Sequence, residues 1–323
     1  MITQLSYKSK QFFIAIIKLS IIVGAGYYIY NRLTKNSDLS FSDFSSFLTQ
    51  NDVFSVKNVS FLLILTIFNW FFEILKWKYL IHFIKKISFF EALEQSLGGL
   101  TASLITPNRI GDYGAKAIYY ARTERKKVVL LNLLGNMNQM AVTTIIGLIG
   151  LAIFYSKYDL DIDFKHVSRF LILIVVIGVF SFFGLKQSKL RLKGNSIEQL
   201  TVFIKNIPRK THILNFSLSF FRYCIFSYQF YFLLLIFGVS IDYKTAIIAI
   251  SSMYFLASIV PSLAVFDVLI KTSAAVFLFG ILGVDELTIL SISTLMWLLN
   301  FILPSIFGSY FVLNFKLPKS EDS

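Results

Sequence analysis

The chain is poor in the residues from which catalytic and metal centres are most often built. Its 323 residues include one cysteine, Cys224, and three histidines, His82, His166 and His212. A single thiol excludes an intrachain disulfide framework. The histidines stand alone, with no cysteine or carboxylate at ligand spacing, so no metal site is expected. There is no glycine-rich nucleotide loop and no nucleophile motif, which argues against ATP-driven pumping by this chain alone. No cofactor and no catalytic residue are assigned. Acidic side chains are scarce too: 18 Asp+Glu stand against 31 Lys+Arg, a net charge of +13. The basic residues flank apolar segments without forming a compact face or a nucleic-acid module, so nucleic acid is excluded as a partner. They fit the lysine and arginine excess of cytoplasmic loops in membrane proteins.

What the chain has in abundance is apolar surface. It is 56% hydrophobic and 17% aromatic, with a mean hydropathy of +0.69. Several runs reach the roughly 20 residues needed to cross a hydrocarbon core about 30 Å thick. The reading is an all-α integral membrane protein, one polytopic domain over residues 1–323 with no soluble domain. Cys224 lies in an apolar run and reads as a buried small hydrophobe.

The first run, 11–30, follows Lys8 and Lys10 but is longer than a signal-peptide core and lacks a small-residue cleavage site, so it reads as a retained span. The polar loop after it is charge-balanced and is placed outside. A second span, 59–82, ends among Lys76, Lys78, Lys85 and Lys86, which places its exit in the cytoplasm.

Next comes SLGGLTASLITPNRIGDYGAKAIYYAR, residues 96–122, apolar yet carrying Pro107, four glycines, Arg109, Asp112 and Lys116. Pro107 disfavours helix at Thr106, and Gly111 relaxes the backbone beyond it. The second arm, about 12 residues or about 18 Å, is too short to cross, and basic residues flank both ends of the segment. A hairpin that returns to its own side is expected. Charge and broken helix at membrane depth are tolerated where they line a cavity.

A span over 128–155 follows, with Asn132, Asn136 and Gln139 at helical spacing, a polar face turned toward the hairpin. A span at 166–185, the basic linker KQSKLRLKGNS and an amphipathic surface helix over 195–207, with Ser196 as N-cap, come next. A span at 212–239 carries Arg222. An apolar arm from Thr245 to Val260, a break at Pro261, and an arm from Ser262 to Phe279 with Asp267 and Lys271 repeat the earlier pattern. This second segment reads either as an outer hairpin or as two full spans. The last span, 287–315, ends before Lys316 and Lys319, which places both termini in the cytoplasm of a plasma-membrane protein.

The expected architecture is therefore about six full transmembrane helices and two broken re-entrant hairpins. Residues 59–155 and 212–315 form an inverted repeat of the transporter kind.

Arg109 is the leading ligand contact, because a guanidinium offers a planar fork of donors to a phosphate diester; the competing reading is an internal pair with Asp112. Asp112 and Lys116, like Asp267 and Lys271, lie four apart and suit helical ion pairs. Arg222 and Glu73 are read as snorkelling near cytoplasmic ends, with Arg222 a second phosphate contact if it faces inward. Gly98 and Gly99 suit close helix packing.

Pro107, Arg109, Gly111 and Asp112, with the Pro261 to Asp267 segment and Gly283, resemble the transmembrane flippase region of lysylphosphatidylglycerol synthase. The resemblance runs from about residue 10 onward and departs from the family at Asn108, where glycine is usual, and at Leu263, Ala264, Val265 and Asp267. It implies a stand-alone membrane domain that moves an anionic phospholipid or lipid-linked substrate by alternating access. Substrate contacts would be Arg109, Asp112, Lys116, Arg222, Asp267 and Lys271, with the hairpins broken at Pro107, Gly111 and Pro261. Lysyl transfer is not implied, since that chemistry belongs to a soluble domain and only KLPKSEDS follows Phe315. The alternatives are a membrane-embedded lipid-modifying enzyme with Asp112 or Asp267 as base, or a scaffold for a separate lipid synthase. Expected partners are membrane lipids, with a lipid synthase or a second copy of the chain.

Overall fold

A computed structural model describes residues 53–104, 106, 110–158, 197–259 and 264–315, with backbone alone at 197–201 and 264–269. The expected spans at 11–30 and 166–185 lie outside these residues, as do Pro107, Arg109, Pro261 and the side chain of Asp267.

The described chain is helical. In order it forms α1 (Val56–Ile81), α2 (Phe89–Ser103), α3 (Ile110–Ala117), α4 (Arg125–Lys157), α5 (Ile197–Asn206), α6 (Arg209–Ile236), α7 (Tyr243–Ile259), α8 (Ala264–Ile281) and α9 (Glu286–Trp297). A π-helical turn (Leu298–Ile302) then leads into α10 (Leu303–Asn314). Two compact units are distinguished. The larger takes in residues 1–154 and 214–323, and the smaller residues 155–213, of which α5 is a described part.

Among the described residues, α1, α4, α6 and the continuous run Glu286–Asn314 are long and apolar enough to cross a membrane. Only 22% of the most apolar window of α4 is buried, at a mean hydropathy of 1.7. Surface so apolar is stable against lipid and costly against water. This is an all-α membrane protein.

The larger unit runs long, short, short, long twice over: α1, α2, α3, α4, then α6, α7, α8 and the last run. The 15 residues of α2 and the 8 of α3 rise about 22 Å and about 12 Å, well short of the hydrocarbon core, and the two arms pack on each other. By contrast, α7 and α8, with 17 and 18 residues, reach about 26 Å. They too pack together.

Helix α2 is the pivot of the larger unit, packing against α1, α3 and α10. Its start is fixed by a capping box. Ser88 Oγ accepts from the Glu91 N–H, and Glu91 Oε2 accepts from the Ser88 N–H. The Ser88 backbone N–H, helped by its hydroxyl, holds the Glu91 carboxyl below the usual carboxylate range. Where α2 crosses α10, Thr101 Oγ1 donates to the Ser305 carbonyl at 3.0 Å, and a Cβ on Gly308 would run into the Leu97 carbonyl. Small residues let these backbones meet, as membrane helix pairs require.

One expectation fails on α6. Cys224 is exposed, on the outward stripe with Phe216, Phe220 and Tyr228, and is not part of the core. Its spacing from those residues, four from Phe220 and Tyr228 and eight from Phe216 along a 3.6-residue period, puts it on their face.

Candidate functional site

Among the described residues, two polar clusters sit inside the apolar larger unit. The first locks the short hairpin. Lys116 Nζ lies 3.1 Å from Asp112 Oδ1, so the expected ion pair on α3 is formed. Lys116 also donates to Asn132 Oδ1 at 2.9 Å, and Asn132 Nδ2 donates to Asp112 Oδ2 at 2.7 Å. The ammonium stands 4.6 Å from the centre of the Trp77 ring, an additional cation–π contact. With the lysine side chain 3% exposed and the carboxylate 14%, each charge is matched by hydrogen bonds as well as by the other charge.

The hairpin's glycines make room for this cluster. A Cβ on Gly99 would collide with the Asp112 carboxylate, and one on Gly111 with the backbone of Ala102. The Gly111 N–H donates to Thr106 Oγ1 at 2.8 Å, which ties the second arm to the end of the first. A Cβ on Gly98 would meet Tyr119, Val312 and Phe311 only at ordinary packing distance, so this glycine is not required by a close approach.

The expected polar face of α4 divides. Asn132 and Asn136 meet α3, the latter donating to the Tyr113 hydroxyl at 2.9 Å. Gln139 reaches α6 instead, where its amide donates to the Ser219 carbonyl at 3.4 Å.

The second cluster corrects the reading of Glu73 and Arg222 as snorkelling residues. Arg222 lies midway along α6, and its Nη1 is 2.7 Å from Glu73 Oε2, while its Nε donates to Asn69 Oδ1 at 3.0 Å. Lys76 Nζ stands 2.6 Å from the same Glu73 Oε2, so one buried carboxylate is shared as an ion pair by two cations. Two helices that each bring a charge to the same depth pair it there, and neither side chain has to reach for the surface.

From Asn69 the network continues into the last span. Asn69 Nδ2 donates to Asn300 Oδ1 at 2.6 Å, and Asn300 Nδ2 donates to Gln229 Oε1 at 2.8 Å. Gln229 in turn donates to Thr66 Oγ1 and to the Leu62 carbonyl. Asn300 sits in the π-helical turn, and α10 begins Leu303-Pro304. Pro304 has no N–H for the carbonyl four residues back, and the Trp70 indole supplies the missing donor to the Asn300 carbonyl. A π turn of this sort is often found at functional sites.

Beside this network lies a cavity of about 320 Å³ whose lining includes Arg222, Lys271, Asn300, Tyr254, Phe226 and Trp297. Of its 18 lining residues ten are aromatic or apolar and eight polar, two of them charged, and an apolar wall set with polar groups is the usual character of a ligand site. Of the six expected substrate contacts, Arg222 and Lys271 line it. Asp112 and Lys116 belong to the hairpin lock. Arg109 and the Asp267 side chain fall outside the described residues.

Sequence reasoning missed Asn69, Trp70, Gln229 and Asn300. Their one local signal is an amide or indole inside an apolar run, as in IFNWFFE and WLLNFILP.

A family model described as the lysylphosphatidylglycerol synthase TM region matches residues 15–308. A search of curated proteins and a search of solved structures each find no match.

Proposed function

The chain belongs to the lysylphosphatidylglycerol synthase TM-region family, membrane proteins of lipid metabolism or transport, and from that premise we infer that it moves an anionic phospholipid or lipid-linked substrate across the bilayer. The observation that carries this reading is the cavity at the second cluster. Arg222 is held rigidly by Asn69 and Glu73 while it lines the cavity, and Lys271 lines the same space. A guanidinium fixed in orientation is prepared to form a charge-assisted bond to a phosphate oxygen. The aromatic walls accept the apolar part of the headgroup region, and the acyl chains remain in lipid.

The sequence left Asp112 and Lys116 open between substrate contact and structural pair, and their hydrogen bonds favour the second. Asp112 and Lys116 serve as a structural lock that keeps the short hairpin folded, and the phosphate contacts are Arg222 and Lys271; Arg109 is kept as a third contact on its sequence alone. The twofold order of long and short helices supports an inverted repeat of 59–155 and 212–315, and alternating exposure of the cavity is the mechanism suited to it. In this reading the protein sits in the plasma membrane with both termini cytoplasmic.

Purified protein reconstituted into liposomes with fluorescent phosphatidylglycerol tests the reading. Labelled lipid should exchange between leaflets faster than in protein-free liposomes; equal rates would contradict it.

A further inference from the structure

The cavity beside Arg222 offers more than its two cations. Three aliphatic hydroxyls line it from three different helices: Thr143 on α4, Ser258 on α7 and Ser293 on α9. A hydroxyl has one hydrogen to give and lone pairs with which to accept. Thr143 Oγ1 gives its hydrogen to the Gln139 carbonyl at 3.1 Å, and Ser258 Oγ gives its own to the Phe255 carbonyl at 2.7 Å. What these two have left for a ligand is an acceptor. Ser293, 8% exposed, adds a hydroxyl that bonds to none of the described residues.

A phosphodiester does not match such acceptors. Its free oxygens only accept, and the groups that suit them are the Arg222 guanidinium and the Lys271 ammonium. A ligand that brought a bare phosphodiester would leave the Thr143 and Ser258 oxygens without a donor, at a cost to binding. The complementary ligand carries donors of its own beside the phosphate.

Those donors are hydroxyls or an ammonium, and charge decides between them. Two cations line the cavity and, among the described residues, no carboxylate does. An ammonium placed there would be repelled at close range in a medium of low dielectric constant. Neutral hydroxyls meet no such penalty. The walls agree with this choice. Arg222 stands 6.0 Å from the centre of the Trp70 ring and Lys271 5.6 Å from that of Phe301, so aromatic faces flank both cations. The C–H edges of a polyol pack against such faces while its hydroxyls reach past them. At about 320 Å³ the cavity lies at the low end of ligand pockets, roughly 300–1,000 Å³, which suits a headgroup without its acyl chains.

We propose that the cavity selects lipids whose phosphate bears a neutral polyhydroxylated ring, an inositol or a sugar. The phosphate sits at Arg222 and Lys271, and ring hydroxyls donate to Thr143 and Ser258 and pair with Ser293. A ring is favoured over a short polyol because the three hydroxyls stand on separate helices, and a headgroup with few hydroxyls leaves some of them unmet. The inference rests on the lipid reading above and narrows it.

Three fluorescent lipids of equal charge separate the two readings: phosphatidylinositol, phosphatidylglycerol, and phosphatidylethanol, whose headgroup has no hydroxyl. Leaflet exchange is measured in liposomes holding the native protein, with the protein-free rate subtracted. Phosphatidylinositol should exchange at least about tenfold faster than phosphatidylethanol, with phosphatidylglycerol between them, because a site built to bond hydroxyls rejects the analogue that lacks them. Equal rates for the three overturn the proposal and leave the lipid reading standing, whereas no exchange of any of them overturns both. Phosphatidylethanolamine moved as fast as phosphatidylinositol would also overturn the proposal, since its ammonium supplies donors with the wrong charge. Thr143→Val keeps the side chain's shape and removes its hydroxyl, and should reduce the preference for phosphatidylinositol over phosphatidylethanol by at least about threefold. A preference unchanged in folded protein carrying both Thr143→Val and Ser258→Ala overturns the proposal.

Discussion

The Trp70 indole N–H donates to the Asn300 carbonyl at 3.2 Å, across 230 residues of chain, at the point where Pro304 withdraws the intrahelical donor. Helix α1 thereby completes the backbone of the last span. A substitution in one should be rescued by a substitution in the other. Trp70→Phe leaves the carbonyl unmet and should cost about 1–3 kcal/mol, read as a lower thermal midpoint in detergent. Pro304→Ala restores the N–H, so the double variant should lose less than Trp70→Phe does in the Pro304 background. Equal losses in both backgrounds would mean that the indole bond carries no weight.

The hairpin lock makes a charge-specific prediction. Asp112→Asn leaves the Lys116 ammonium buried without its carboxylate and should cost about 3–5 kcal/mol. Asp112→Asn combined with Lys116→Met removes both charges and should recover much of the loss, again by thermal midpoint. A double variant less stable than Asp112→Asn would show that the pair is not the unit of stabilisation.

Two glycines of α3 should behave oppositely. Gly111→Ala drives a methyl group into the Ala102 backbone and should sharply lower folding yield and midpoint, whereas nothing lies within 4 Å of a Cβ at Gly114. There alanine should be neutral, or stabilise by up to about 1 kcal/mol through helix propensity.

The orientation has its own check. In the Cys224→Ser background, cysteine at Ser37 should be labelled from outside intact cells by an impermeant thiol reagent, and cysteine at Ser188 should be protected until the cells are opened. The reverse pattern would invert the topology.

Much of the fold was legible because its signals are local. Apolar runs between basic flanks mark α1, α4 and α6, and the Pro107 and Gly111 region divides α2 from α3. The i, i+4 spacing of Asp112 and Lys116 was enough to foresee their pair. The centre of the second cluster was not legible, for a physical reason. Hydropathy gives the depth of Glu73 and Arg222 but not which helix stands opposite, so each looked like a residue reaching for the surface. Asn69, Gln229 and Asn300 meet only through tertiary packing, since no rule of spacing links positions 71 or 231 apart. The π turn likewise depends on Pro304 and Trp70 together, and only the proline announces itself in sequence. Cys224 was misplaced because an apolar run does not tell a lipid face from a core face.

If the cavity at Arg222 takes the phosphate of a moving lipid, leaflet exchange must depend on that guanidinium. Leaflet exchange of fluorescent phosphatidylglycerol in liposomes, compared between the native protein and Arg222→Gln, tests it most directly. Glu73 keeps Lys76 as a partner in this variant, so its thermal midpoint should remain close to the native one. Exchange by Arg222→Gln should be at least about tenfold slower, the loss of about 1.4 kcal/mol of transition-state stabilisation. Native-rate exchange by a folded Arg222→Gln protein would contradict it.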